Sequence, residues 1–238
     1  MPILSAFGAA RAIPGSGGIA EGKYSYDFNG SSYLTYPISS SFAIGTQQFS
    51  IECFVYLDSY PSTTAGILDF GYGSTSTSSQ TARFFIDSSG RPAFIRNNYP
   101  TYPSSSTTTS SSSISLATWT YIAVSRDSIG AMRLFIGSTQ TAFTTSISGT
   151  IDSGTRAPSI GGRVSTTTFL TGNISNLRFN LGSSFSTATV PTQPLTAVAT
   201  TKILTCQSST VKDNSVANGG GPWTVTNSGV IVSGSGPF

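Results

Sequence analysis

The 238-residue chain contains no histidine and few charged side chains. Its nine acidic residues are two glutamates and seven scattered aspartates. Without an imidazole, a Ser-His-Asp triad cannot be assembled, and a metal site would lack its commonest nitrogen ligand. These absences predict a protein that is not an enzyme and that holds no metal through histidine or cysteine.

Long apolar runs are also missing, since no segment approaches the ~18 residues of a membrane-spanning helix. The twelve basic residues are dispersed and leave a net charge of only +3, which argues against nucleic-acid binding. The first charge, Arg11, comes too late for a secretory signal. We therefore predict no membrane segment, no nucleic-acid partner and no export.

Only two cysteines are present, Cys53 and Cys206, each inside an apolar, strand-like run. They are far apart in sequence and could either pair across a core or remain as small buried hydrophobic residues. The absence of an export signal favours free thiols.

Serine and threonine make up roughly a third of the chain, and 15 Phe and 10 Tyr supply apolar mass. From Tyr24 onward, short aromatic and β-branched runs alternate with Gly, Ser, Pro and Asn, which predicts a sandwich or barrel without a helix of normal length. In the clearest strand, Phe49–Leu57, apolar residues occupy both faces, so this strand should be central and covered twice. Further predicted strands are Gly66–Tyr72, Ala82–Asp87, Pro92–Arg96, Trp119–Arg126, Met132–Gly137, Ser159–Gly162, Gly172–Asn180, Thr201–Gln207, 223–227 and 230–232.

Turn-forming residues at 87–92 and 126–132 predict two hairpins. The polar segments 73–81 and 99–115 are expected to be exposed loops. Residues 1–22, with seven glycines and prolines, predict an extended N-terminal arm. We expect residues 23–238 to form one domain, including a C-terminal extension from about residue 190 that packs back on it.

Five segments, in order, resemble the laminin-G-like branch of the concanavalin A-like lectin/glucanase jelly rolls. They are FNGSSYLTYP at 28–37, FSIECFVYL at 49–57, 117–141, SIGGR at 159–163 and LTGNISNLRFNLG at 170–182. The resemblance implies an all-β, antiparallel β-sandwich jelly roll in which a backbone-tight glycine precedes the closing strand. Enzymes of this superfamily carry carboxylates two residues apart on one strand, a pattern this sequence lacks, so glycan hydrolysis is not expected.

The termini resemble a narrower group, the virion proteins of tailed phages, particularly phages of aquatic bacteria such as cyanophages. The residues concerned are MPILSAFGAARA at 1–12, residues 189–219 and the closing GSGPF. This resemblance implies a virion protein that is assembled in the host bacterial cytoplasm. Two functions follow as alternatives. One is a capsid decoration, cement or accessory protein that binds the major capsid protein or tail proteins. The other is a tail-fibre or appendage adhesin that recognises host surface polysaccharide.

A homo-oligomer such as a trimer suits both functions. The candidate contact residues fall into two groups. Partner contacts are expected from the arm, through Ile3, Leu4, Phe7 and Ile13. Asn97, Asn98, Tyr99 and Tyr102 are the candidate residues for a carbohydrate site, because lectin sites combine aromatic faces with amide groups; packing of the two tyrosines over the sandwich edge is the favoured alternative.

No cofactor is predicted. Calcium is bound by some members of the resembled family, and Asp69 and Asp152 are the best isolated candidates for it here. Both aspartates are better explained as turn residues.

Overall fold

A computed structural model describes residues 22–71, 82–99, 105–145, 150–151, 157–163, 168–216 and 221–238, with the backbone alone at 97–99, 105 and 163. Two antiparallel eight-stranded sheets face one another, as the sequence predicts. Sheet A has the order β10-β9-β8-β3-β15-β1-β18, and β16 pairs with the far half of β15. Its strands are β1 (Ser25–Asn29), β3 (Phe49–Leu57), β8 (Thr120–Arg126), β9 (Met132–Ile136), β10 (Thr139–Thr144), β15 (Thr171–Leu181), β16 (Thr201–Thr205) and β18 (Ile231–Ser233).

Sheet B has the order β11-β6-β5-β4-β12-β2-β17, and β7 pairs with β6. Its strands are β2 (Tyr33–Thr35), β4 (Thr64–Asp69), β5 (Ala82–Asp87), β6 (Pro92–Tyr99), β7 (Ser105–Thr109), β11 (Thr150–Ile151), β12 (Ser159–Ile160) and β17 (Thr226–Ser228). A separate pair, β13 (Gly162–Arg163) and β14 (Thr168–Phe169), lies against β4. Within the described ranges the one helix is the 3-10 turn Ser40–Phe42, and no helix could cross a membrane.

Strand β3 lies between β8 and β15 and is covered on both faces, which confirms the sequence prediction. Its odd-numbered residues from Phe49 to Leu57 are fully buried between the two sheets. On the opposite face, Phe54 belongs to a second cluster with Tyr121 and Phe135, over which Phe238 packs. The alternation of apolar residues along this nine-residue strand therefore places β3 at the centre of the molecule.

The prediction that 99–115 is an exposed loop is wrong for a large part of the segment. Residues 105–109 form β7, an edge strand that pairs with β6. Thr108 is buried and shares a 3.1 Å hydrogen bond between hydroxyls with Thr144 of β10, and Ile114 is buried in the core. Threonine is a good strand former, and here the hydroxyl of Thr108 bonds to Thr144 where β7 meets β10 at the edge of the two sheets.

Cys53 and Cys206 are both fully buried free thiols, which confirms the favoured alternative. Burial raises the pKa of both side chains. Neither thiol is therefore activated as a nucleophile or a metal ligand.

The C-terminal residues add strands to both sheets, because β16 and β18 join sheet A and β17 joins sheet B. The buried side chain of Asn176, at a bulge in β15, holds two distant segments. Its Nδ2 donates to the carbonyl of Gly22 at 2.8 Å, and its Oδ1 accepts the N–H of Leu195 at 2.8 Å. The arm boundary at residue 22 remains a prediction, since residues 1–21 lie outside the described ranges.

Candidate functional site

A groove of about 250 Å³ opens at the end of the sandwich where β3 leads into β4 and where β15 begins. Seven hydroxyl-bearing side chains and two aromatic rings contribute to its walls. None of the lining residues that the structure describes carries a charge. They are Gly30, Ser59, Tyr60, Pro61, Ser62, Thr63, Thr64, Ala65, Thr168, Phe169 and Thr171.

Tyr60 forms one wall and is held in place by two contacts. Its hydroxyl donates to the carbonyl of Ile114 at 2.9 Å, and Ile114 in turn donates its N–H to the carbonyl of Gly90. The ring lies so close to Gly90 that a Cβ there would come within 2.3 Å of it. Tyr60 is nevertheless 40% exposed, so its ring gives the groove a fixed, partly apolar surface.

Phe169 of β14 is the second aromatic residue that lines the groove. It stacks on Tyr33 of β2, with the ring centroids 5.8 Å apart and the planes at 22°. Thr168 and Thr171, close to Phe169 in sequence, add hydroxyl-bearing side chains to the lining. The lining thus combines two aromatic residues with serine and threonine side chains.

Two carboxylates lie near the groove without lining it. Asp58 follows the last residue of β3, and its N–H donates to the carbonyl of Thr171 at 3.2 Å. Asp27 of β1 lies opposite Asn173 of β15, which lies opposite Tyr56 of β3. Burial, and secondly the charge of Asp58, raise the pKa of Asp27. The acids are therefore close enough to interact.

This arrangement suits binding better than catalysis. Hydroxyl groups and aromatic faces complement the hydroxyls and the C–H faces of polyols. A glycosidase needs two carboxyl groups on either side of the scissile bond, and the described lining residues supply none. In the part of the chain that the structure describes, no three cysteine, aspartate or glutamate side chains come together as metal ligands.

The carbohydrate residues expected from the sequence lie elsewhere. The backbones of Asn97, Asn98 and Tyr99 form the end of β6 rather than a loop, and they pair with β7 and β11. Their side chains and Tyr102 lie outside the described part of the chain, so this site stays a prediction. The turn before β6 contacts Tyr60, and Tyr99 is about 20 Å further along the strand. The groove is therefore at the opposite end of the sandwich.

The other predicted residues are only partly described. Ile3, Leu4, Phe7 and Ile13 of the arm, and the calcium candidate Asp152, lie outside the described ranges. Asp69 is fully buried at the end of β4, where its Oδ1 accepts the N–H of Gly71 at 2.9 Å. This is the bond expected of a turn residue.

Sequence reasoning missed the groove although its main loop carried a usable signal. Residues 58–64, DSYPSTT, combine a tyrosine, a proline and hydroxyl residues between two strands. The segment around Tyr99, which was the sequence-based candidate for a carbohydrate site, has the same combination. The second wall is about a hundred residues away in sequence. The pairing of β15 with β3 and β1, together with the contact of β13 and β14 with β4, brings the two walls together.

Several solved structures share the fold at low sequence identity. A proposed carbohydrate-binding protein from Bacteroides ovatus has a TM-score of 0.65 and 12% identity, over 90% of this chain and 60% of that one. The chain therefore spans less than two thirds of that protein's length. The heptameric pentraxin of Limulus polyphemus has a TM-score of 0.56 and 12% identity, over 90% and 95% of the two chains. The carbohydrate-binding module CBM40 of a Ruminococcus gnavus sialidase, bound to α2,3-sialyllactose, has a TM-score of 0.54 and 14% identity, over 71% and 95%.

No curated protein matches the sequence. Residues 28–181, more than half of the chain, do match a laminin-G-type family, and the two facing antiparallel sheets agree with that match. The chain belongs to the concanavalin A-like lectin/glucanases superfamily.

Proposed function

We propose that this protein is a non-catalytic glycan-binding module and that the groove between Tyr60 and Phe169 is its binding site. The observation that carries the proposal is the composition of the groove, with two aromatic rings and seven hydroxyl-bearing side chains on its walls. The fold supports it, because the similar structures include a sialidase module bound to sialyllactose. Fold likeness alone does not assign a ligand, so the argument depends on the groove.

Replacing Tyr60 by alanine should weaken glycan binding by about tenfold or more, because a fixed aromatic surface is lost. Binding would be measured by screening a panel of bacterial, plant and animal oligosaccharides and then by calorimetry on the best ligand. Phe143, which is 49% exposed on β10 and away from the groove, gives the matched control F143A. If the Tyr60→Ala variant binds the glycan as tightly as the wild type, and only Tyr99→Ala or Tyr102→Ala loses affinity, the site lies at the end of β6 instead.

We propose secondly that the module is part of a tailed-phage virion, assembled in the host cytoplasm. The support is the resemblance of its termini to phage virion proteins. In this setting it is either an adhesin that uses the groove or a decoration protein that binds capsid or tail subunits through its arm, as a trimer or another homo-oligomer. Gly22, the last residue of the predicted arm, is held through both of its main-chain polar groups. Its N–H donates to the carbonyl of Gln207 at 2.7 Å, and its carbonyl accepts from Asn176. A contact made by the arm would thus be transmitted directly to sheet A.

Deleting residues 1–18 should remove the protein from purified particles if the arm is the anchor. Occupancy would be measured by quantitative gel analysis of the particles, which also separates the two virion functions. Hundreds of copies indicate capsid decoration, and a few to tens indicate a tail fibre. Normal occupancy of the truncated protein would rule out the arm as the anchor.

A further inference from the structure

We propose that the groove selects uncharged sugars over carboxylated ones and that Asp58, at its rim, is the residue that determines this selection. The inference rests on the glycan-binding function proposed above and names its ligand class. The inference follows from the charges around the groove and does not depend on the similarity of the fold to other structures.

The groove offers no compensation for a negative ligand among its described residues. Recognition of a carboxylate normally uses an arginine fork or a lysine, since these supply charge-assisted hydrogen bonds. The described lining residues are instead hydroxyl-bearing, aromatic or small, without a basic side chain. Hydroxyl groups can bind sugar hydroxyls as donors or acceptors without regard to charge. A neutral sugar can therefore exchange its hydrogen bonds to water for bonds to these hydroxyls, whereas a carboxylate gives up its hydration and meets no cation among the described lining side chains.

Asp58 adds a repulsive charge at one fixed position. The residue is exposed, and the next two residues along the chain, Ser59 and Tyr60, line the groove. Its main-chain N–H is bonded to the carbonyl of Thr171, which also lines the groove. This bond ties the rim to the start of β15, so the backbone that carries the Asp58 carboxylate is held beside the lining residue Thr171. Because the bond uses the main chain, substitution of the side chain leaves it in place.

Asp27 extends the negative rim along sheet A. Its side chain lies on the outer face of the sheet, since Tyr26 and Phe28 on either side of it point into the core. A sugar chain that leaves the groove on this side would pass two carboxylates. Their repulsion acts through water over several ångströms, so the expected discrimination is modest, about three- to tenfold, and it weakens as salt screens it.

The test compares matched pairs of oligosaccharides whose C6 is either a hydroxymethyl group or a carboxylate. Their affinities for the full chain are measured by calorimetry at about 20 mM and about 500 mM salt. The wild type should favour the neutral member of each pair by about three- to tenfold at low salt and by less at high salt. Asp58→Asn should reduce the preference, and Asp58→Glu, which keeps the charge, should retain it.

The possible results separate the inference from the function on which it rests. Equal affinity for both members of a pair, or an unchanged preference in D58N, would overturn the selection by Asp58 while leaving glycan binding intact. The absence of binding by every sugar in the wild type would overturn both. A preference that is present in the wild type and in D58E but reduced in D58N supports the proposal.

Discussion

Replacing Glu52 by alanine is expected to lower the free energy of unfolding by about 3 kcal/mol, because it removes a buried carboxylate and leaves the partly buried Arg178 without its counter-ion. Glu52 is only 4% exposed on the outer face of β3. Its Oε1 accepts from Arg178 at 2.6 Å (Nη2) and 3.0 Å (Nε), and its Oε2 accepts from the hydroxyl of Tyr121 at 2.8 Å. All described hydrogen bonds of this carboxylate thus come from the two neighbouring strands.

The register of sheet A creates this cluster, since Glu52 lies opposite Arg178 in β15 and beside β8. Arg178 also donates from Nη1 to the carbonyl of Thr196 at 2.9 Å, which fastens the C-terminal segment to the sheet. Burial and the adjacent Glu52 raise the pKa of Tyr121, so its hydroxyl remains a donor at neutral pH. Loss of Glu52 therefore removes the link among three central strands and loosens the segment beyond β15.

Equilibrium unfolding in urea measures the effect, provided that the transition is two-state. The matched control is Arg91→Ala, which breaks an ion pair with Asp87 in which the arginine side chain is 43% exposed. This change should cost less than about 1 kcal/mol. A Glu52→Ala variant as stable as R91A would show that the cluster contributes no more than a surface pair.

The sequence specified the fold best where a single strand or turn carries the whole signal. The bounds of β3 and β5 were predicted correctly, because most positions of both strands are apolar. The predicted hairpins at 87–92 and 126–132 are confirmed, and each turn is stabilised by its own residues. Asp87 and Asp127 each accept two main-chain N–H groups of their own turn and pair with an arginine just beyond it.

Strand β7 and the groove could not be predicted, because both depend on pairing between residues far apart in sequence, which local patterns do not encode. Strand β7 has no apolar alternation, and it is a strand only because β6 offers it a partner. The groove likewise has no sequence motif. Gly30, residues 59–65 and residues 168–171 become neighbours through the registers of β1, β3 and β15.

Gly172 is paired in both the β1–β15 and the β3–β15 registers, and replacing it by alanine should cost about 2–6 kcal/mol of unfolding free energy. Its φ is +141°, a conformation that side chains rarely adopt. It is paired with Leu57 of β3 on one side and with Phe28 of β1 on the other. A Cβ there would come within 2.1 Å of the carbonyl oxygen of Tyr56.

The cost arises from two effects that add. A non-glycine residue in a rare backbone conformation costs about 1–3 kcal/mol, and overpacking costs a further 1–3 kcal/mol. The atom met by the new Cβ belongs to the main chain of the central strand, so relief would require β3 and β15 to separate. The control is Gly45→Ala, at φ +57° with no atom within 4 Å of the added Cβ, which should cost only about 1–2 kcal/mol. Urea unfolding of both variants measures the difference. Equal losses in both would show that backbone conformation alone, and not the contact with Tyr56, makes glycine necessary where β15 begins.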